Sequence, residues 1–331
     1  MIRLLVPLIL LTLVACGPTD QPPQAPDEPA ESAETAIVES ASPDAVEAHD
    51  AQDDVIEQAD FESATAPNEQ RLTAVLAGLA EDHRQRHDAR NPAETLLFFG
   101  IEPGMTVIEA LPSSGWYSRV LLPYLGEEGT LVGANYPAEL FENFGFATEE
   151  FMANLATWIE DFPSDAAEWC SGDCASVEAF FLGDLPAEQE GTADAVLFIR
   201  ALHNMARFQN EGVDDFLDEG LADAYAALKP GGVLGIVQHA APDDAGDGWT
   251  TGAAGYLKQA FVIERAEAAG FEFEAASDIN ANPADQPVEG DVVWRLPPSL
   301  GTTEEGSEER AELAAIGESN RMTLKFRKPL M

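Results

Sequence analysis

The chain is poor in positive charge. Its 331 residues include 17 Lys and Arg against 60 Asp and Glu, which gives a formal net charge of −43. Such a chain repels phosphate backbones and anionic headgroups, which excludes nucleic acid and anionic membrane surfaces as direct partners. Any charged partner is therefore expected to be cationic. The alternative is that the charge only keeps the protein soluble in a salty or exposed environment.

Long apolar runs are also missing. The one candidate, Leu4 to Val14, is too short to span a bilayer as a mature helix, and it follows a single cation, Arg3. The run ends in Leu-Val-Ala-Cys at Cys16, which resembles the bacterial lipobox. The resemblance implies a lipoprotein signal peptide over 1–15 and lipid on Cys16. Because Gly17 and not Asp follows, it also implies an envelope lipoprotein, anchored to the outer membrane and facing the periplasm. An ordinary secretory signal is the alternative.

Cysteine is scarce, with three residues in the chain. If Cys16 carries lipid, then Cys170 and Cys174 remain, four positions apart in an oxidising compartment. A disulfide between them is favoured. Zinc is the alternative, but two cysteines without a nearby histidine supply half a site at best.

Residues 16–70 contain no Lys or Arg, and they are rich in Pro, Ala, Glu, Asp, Ser and Gln. Such a segment buries too little apolar surface to offset its ordering entropy, so it predicts an acidic disordered tether after the lipidated cysteine. Helical spacing begins near Arg71, and we expect a single domain over 71–331.

The central pattern of that domain is a strand, a tight turn and a helix. The apolar run Met105 to Ala110 carries an acid, Glu109, near its end, and an amphipathic run from Trp116 to Leu125 follows the turn. This order opens a nucleotide-binding α/β sheet. The dinucleotide fingerprint does not fit, since Gly115 is the only glycine in the turn.

Further apolar runs separated by helical patterns predict a mostly parallel sheet. The remaining strands are expected at Thr130 to Asn135, Val177 to Leu182, Asp194 to Arg200, Val233 to His239, Phe271 to Ser277 and, as an antiparallel edge strand, Met322 to Phe326. An insertion over about 137–176 separates the second strand from the third. Its aromatic residues predict a satellite core, with a ligand cage as the alternative.

Several stretches resemble a bacterial family of predicted class I S-adenosylmethionine-dependent methyltransferases, whose members are often exported. They are Asp88–Ile101, Pro103–Val107, Gly115–Tyr117, Leu202–Asn204, Leu228–Gly235, Asp278–Pro283 and Ile316–Phe326. The resemblance covers about Arg71 to Pro329. It implies a Rossmann-like α/β fold with a seven-stranded, mostly parallel sheet, helices on both faces and an antiparallel last strand.

The resemblance also implies a site for S-adenosylmethionine. The implied cofactor-binding residues are Glu109, Leu111, Pro112, Ser113, Ser114, Gly115, Asn135 and Asp184. The family has glycines where this chain has Ser113 and Ser114, and a positive φ at either serine would cost on the order of 1 kcal/mol. Asn135 stands where an acid usually binds the ribose. Asp184 is placed to contact adenine, or else it only caps a turn.

His203 and Asn204 follow the fourth strand, where ligands of such sheets bind, and are the candidate catalytic residues. His203 is expected to act as a general base or only to bond a neighbouring loop, and His239 offers the same two readings. His83 and His87 share one predicted helix face, which suggests a metal, but no third ligand is evident. A solvated face is favoured, and no metal is expected.

Two functions remain open. One is a methyltransferase with a small-molecule ligand and an unidentified acceptor. The other is a catalytically inactive methyltransferase fold that binds a small molecule or serves as a scaffold. A metal-dependent hydrolase is disfavoured because the sequence offers no ligand cluster.

Overall fold

The computed structural model describes residues 67–330. The predicted signal peptide, Cys16 and the predicted tether as far as residue 66 lie outside the described residues, so the lipid anchor stays a prediction. Within the described part, a helix covers 67–78, so regular structure begins four residues before Arg71, inside the segment 16–70 that was expected to be a tether. No helix in 67–330 is both long enough and apolar enough to cross a membrane.

One seven-stranded sheet organises the described residues, with the order β3-β2-β1-β4-β5-β7-β6. The strands are β1 (Thr106–Ala110), β2 (Thr130–Asn135), β3 (Ser176–Phe181), β4 (Ala193–Ile199), β5 (Leu228–His239), β6 (Glu272–Ser277) and β7 (Arg321–Arg327). The pairs β3–β2, β2–β1, β1–β4 and β4–β5 are parallel, and β7 is antiparallel to both β5 and β6. This confirms the Rossmann-like class I methyltransferase fold.

The position of β7 differs from the expectation. It is not an edge strand, because it lies between β5 and β6 and pairs with both. Five of its seven residues are buried, and a buried strand needs backbone partners on both sides, whereas β6 is mostly exposed and tolerates the edge.

Helices cover both faces of the sheet. Adjacent residues of β1 enter different cores: Val107 belongs to one apolar cluster and Ile108 to the other. Successive strand residues point to opposite faces, so each face has its own packed layer. The helices are α1 (67–78), α2 (Glu81–Arg84), α3 (His87–Arg90), α4 (Pro92–Phe99), α5 (Ser118–Leu125), α6 (Ala138–Phe141), α7 (Glu149–Ala156), α8 (Trp158–Trp169), α9 (Leu202–Asn210), α10 (Phe216–Ala227), α11 (Gln259–Ala268) and α12 (Glu308–Ile316).

The insertion between β2 and β3 folds as α6, α7 and α8. Its aromatic rings pack on one another, and Phe144 also meets Phe208 of α9 with ring centroids 5.1 Å apart. These rings pack as core residues, but the expected separate satellite core is wrong, because they belong to the larger core of the sheet. After α8, Cys170 and Cys174 form a disulfide, which confirms the favoured pairing.

Candidate functional site

A cavity of about 350 Å³ lies where β1, β4 and β5 end. The order of the sheet reverses between β1 and β4, and the crevice at such a point is where open α/β sheets bind ligands. Seven of the predicted site residues line this cavity together: Glu109, Leu111, Pro112, Ser113 and Ser114, with the pair His203 and Asn204 on the facing wall and His239 beside them. The rest of the lining comes from segments that the sequence analysis did not assign to a site.

Glu109 is the acid at the floor of the cavity. The residue is only 4% exposed, and the Ser118 hydroxyl, on the following helix, donates a hydrogen bond of 2.6 Å to Oε2 of its carboxylate. Burial raises the pKa of Glu109 to about 7, although Ser118 and the charge of Arg200 act in the opposite direction. Glu109 therefore changes charge near neutral pH, which suits a group that binds a cationic or proton-donating ligand atom.

The cavity wall contains strained backbone. Five residues other than glycine have positive φ in the described chain, and three of them line the cavity: Leu111 at 53°, Ser113 at 52° and Arg200 at 61°. Ser113 thus adopts the conformation for which the family's glycine is suited. Each such residue costs on the order of 1 kcal/mol, and strain of this kind concentrates at ligand sites.

His203 is the second residue of α9 on the opposite wall, and its ring lies 5.5 Å from the ring of His239, measured between centroids. Nδ1 of His203 has no hydrogen-bond partner in 67–330, whereas Nδ1 of His239 pairs with Ser319 Oγ at 2.6 Å. Burial lowers the pKa of His203 to about 4 and that of His239 well below 6.5. Both rings are neutral at pH 7 and are weaker bases than free imidazole, which disfavours His203 as the expected general base.

The site also contains an arginine cluster, defined as Arg86, Arg90, Arg200 and Arg321 around Glu318. Arg86 Nη2, Arg90 Nε and Arg321 Nη1 lie 2.8, 3.1 and 3.3 Å from oxygens of the Glu318 carboxylate. Burial opposes the charge of Glu318, but Arg90 and Arg321 hold the pKa of this carboxyl below its usual value. The sequence analysis missed the cluster. Its only signal was that the family resemblance included the stretches around Arg90 and Glu318.

Trp116 forms an aromatic part of the wall. His83 stacks on its indole ring with centroids 4.2 Å apart, and the Arg90 guanidinium lies 4.5 Å from the indole centroid. His83 Nε2 also bonds the Trp116 carbonyl at 2.8 Å, and its Nδ1 bonds His87. The expected solvated face is therefore wrong for His83, which is 6% exposed, because the predicted single helix breaks into short segments that turn His83 inward.

Three predicted cofactor residues lie outside this cavity. The α-carbon of Gly115 faces α8, since a Cβ there would lie 2.2 Å from the Trp169 ring. Asn135 accepts a hydrogen bond from the backbone N–H of Tyr136, and Asp184 lines a separate groove of about 530 Å³ with other acids. The described residues contain no group of three or more His, Cys, Asp or Glu that could hold a metal ion.

Tyr136 separates these two regions. It follows β2, and its hydroxyl donates a short hydrogen bond to the carbonyl of Ala201, which follows β4. Since β1 lies between β2 and β4, this buried side chain crosses the carboxyl end of β1. The residues present therefore fit the ammonium group of S-adenosylmethionine, through Glu109. Tyr136 lies between this cavity and the positions Asn135 and Asp184, to which the resemblance assigns the nucleoside end.

No family model matches the chain, and no curated protein matches it. Solved structures do match. A methyltransferase from Aquifex aeolicus, described as S-adenosylmethionine-dependent, is 15% identical over 73% of this chain and 92% of its own, with a TM-score of 0.43. The cyclase SpnF is 17% identical over 75% and 83%, with a TM-score of 0.46.

A third match is an N-methyltransferase of didemethyltoxoflavin from Burkholderia thailandensis, solved with S-adenosylhomocysteine bound. It is 16% identical over 86% of this chain and 93% of its own, with a TM-score of 0.38. At such low identity and TM-score these matches carry no information on the ligand or the reaction of this chain.

Proposed function

We propose that the protein is an S-adenosylmethionine-dependent methyltransferase that acts on a small molecule. The observation that carries the proposal is the position of Glu109 and the left-handed turn residues Leu111 and Ser113. They line one cavity at the point where the sheet order reverses. Sequence resemblance to the exported methyltransferase family supports it independently.

Bound S-adenosylmethionine supplies a methyl group on a sulfonium, which an acceptor atom displaces in line. In this proposal Glu109 binds the ammonium group at the aminocarboxylate end, and its pKa of about 7 lets it be ionised there. The turn from Pro112 to Ser114 holds the ligand close to the backbone. His203, which is neutral and lines the cavity beside Asn204, orients the acceptor by hydrogen bonding, since methyl transfer depends mainly on positioning.

A second function, ligand binding without methyl transfer, is favoured by one observation. The Tyr136 hydroxyl bonds Ala201 across the end of β1, between the cavity and the positions expected to contact the nucleoside. If this contact persists, then Asn135 and Asp184 are not available to a ligand in the cavity, and the fold serves a different small molecule.

Thermal unfolding of the purified full-length protein tests both functions. S-adenosylmethionine and S-adenosylhomocysteine are titrated at constant pH into the wild type, Glu109→Gln and the exposed control Glu312→Gln. Ligand at about 100 times its dissociation constant adds ~2.7 kcal/mol, or several degrees. We expect a saturable shift that Glu109→Gln weakens and the control retains. No shift at millimolar ligand would eliminate the methyltransferase and leave the second function.

We also propose that the mature chain is a lipoprotein of the bacterial envelope, held at the outer membrane through Cys16. The support is the sequence alone: the apolar run, the lipobox-like end and the acidic segment before Arg71. Incorporation of labelled palmitate that is lost in Cys16→Ser tests this anchor.

A further inference from the structure

The arginine cluster has more positive charge than its protein partners neutralise. Four guanidinium groups surround a single carboxylate, Glu318, which leaves three positive charges before Glu109 is counted. Burial lowers the pKa of Arg90 to about 9 and that of Arg200 to about 10, so both stay charged at neutral pH. The neighbouring histidines are neutral. The charged groups that line the cavity itself are Arg86, Arg90, Arg200, Glu318 and Glu109, so even with Glu109 ionised the cavity keeps a net charge of about +1 in a chain of −43.

The donors of this cluster are only partly used. The Arg200 side chain makes no hydrogen bond to any described residue, and its Nε is buried. Arg90 bonds Glu318 through Nε alone, so its two terminal nitrogens have no protein acceptor in 67–330. A buried guanidinium without an acceptor is destabilising, because its donors lose water without gaining a partner, so an anionic ligand that accepts these hydrogen bonds would be bound favourably.

The backbone at Arg200 aims this residue at the cavity. It directly follows β4 with φ of 61°, and its N–H bonds the carbonyl of Val237 on the adjacent strand at 2.6 Å. A left-handed conformation at an arginine is unfavourable, and here it places the Arg200 cation beside Asn204 and His203. A planar guanidinium binds carboxylate and phosphate groups through two parallel hydrogen bonds.

The rest of the wall is apolar and aromatic. Trp116, Tyr117, Trp294 and the segment from Leu296 to Pro298 line the same cavity. A ligand that complements both parts has an anionic head and a flat or apolar body of modest size, since the cavity measures about 350 Å³.

We propose that the cavity binds a second ligand, distinct from S-adenosylmethionine, through a carboxylate or phosphate group held by Arg200 and Arg90. The identification of this ligand as the methyl acceptor rests on the proposed function, whereas the anion site does not depend on that function. The negative net charge of the whole chain predicted cationic partners, but the positive charge of this cavity favours an anionic ligand at this site.

Inorganic phosphate is the probe. Thermal unfolding of the full-length protein is followed while sodium phosphate replaces sodium chloride at constant ionic strength, with and without saturating S-adenosylhomocysteine. The variants are Arg200→Gln and, as the matched control, Arg207→Gln, whose arginine lies outside the cavity on α9 and pairs with Glu211 at the surface. Arg86→Gln serves as a second cluster variant, because its partly exposed side chain makes misfolding less of a risk.

We expect saturable stabilisation by phosphate that persists when S-adenosylhomocysteine is bound. Arg200→Gln should weaken phosphate binding at least tenfold, as for the loss of a charge-assisted hydrogen bond, Arg86→Gln severalfold, and Arg207→Gln not at all. Absence of saturable phosphate binding in the wild type overturns the proposal. So does complete displacement of phosphate by S-adenosylhomocysteine, which would show that the arginines bind the cofactor's own carboxylate. Phosphate binding with no response to S-adenosylhomocysteine supports the anion site and refutes the methyltransferase.

Discussion

The buried carboxyl of Glu109 makes the stability of the protein depend on pH in a defined window. Its pKa is about 7 in the folded state and close to 4.5 when the chain is unfolded. Between these values the folded state binds the proton more tightly, so the contribution of Glu109 is most favourable below pH 4.5 and is lost as pH rises through 7. A shift of about 2.5 units corresponds to about 3 kcal/mol, at 1.36 kcal/mol per unit.

The substitution Glu109→Gln removes this dependence with little change in shape. Glutamine fills the same volume, and its carbonyl oxygen can still accept the hydrogen bond from Ser118. We therefore expect Glu109→Gln to gain about 3 kcal/mol in unfolding free energy relative to the wild type between pH 4 and pH 8. Repulsion among the other acids changes with pH as well, but it affects both proteins equally and cancels in the difference.

Urea unfolding at several pH values, followed by tryptophan fluorescence, measures this difference. Glu312→Gln is the matched control, since Glu312 is exposed on α12 and its substitution should give a difference that does not vary with pH. If the difference between Glu109→Gln and the wild type is also constant from pH 4 to pH 8, then the carboxyl is not desolvated and the reasoning is wrong.

Two further substitutions test the packing around the cavity. Glu318→Gln should lower the unfolding free energy by about 3–5 kcal/mol, because three guanidinium groups lose the carboxylate that they contact. The control Glu81→Gln removes an ion pair at the surface and should lower the unfolding free energy by less than ~1 kcal/mol. Equal losses for the two variants would contradict the arginine cluster. Gly115→Ala should cost about 2–4 kcal/mol by chemical denaturation, through its φ of 74° and the contact with Trp169. Trp169→Ala should cost less in that background than alone, and strict additivity would show that the two residues do not touch.

The strands were the most predictable part of the fold. The second strand has the bounds that its apolar run indicated, and the other six differ at their ends by a few residues. Parallel strands buried on both faces must be apolar along their length, so the sequence shows them directly. Two features were missed: α9, which follows β4 after two residues, and the inner position of β7. The buried residues Leu202, Met205 and Ala206 of α9 have helical spacing, which the sequence analysis overlooked. The inner position of β7 has no local pattern, because it depends on which strands pair with it in the folded sheet.

The candidate site was predicted in part. Its residues at strand ends were placed correctly, since the carboxyl ends of parallel strands meet at one edge, and Glu109, Ser113 and His203 line one cavity. Gly115 was assigned to the cofactor because glycine in such a turn usually admits a ligand, but the close neighbour of its α-carbon is a tryptophan of the insertion. A glycine at position 115 indicates that there is no room for a side chain, but the sequence does not show whether a ligand or another residue fills the space next to it.

By itself the sequence determined the α/β class, the sheet edge at which the site lies and the acid at its floor. Each of these depends on residues close together along the chain. Only the tertiary structure decided the charge of the site and the state of its titratable groups. Arg86 and Glu318 are 232 positions apart, yet they form an ion pair of 2.8 Å. Desolvation and Coulomb forces depend on distance in space, so a chain of strongly negative charge still folds around a positively charged cavity.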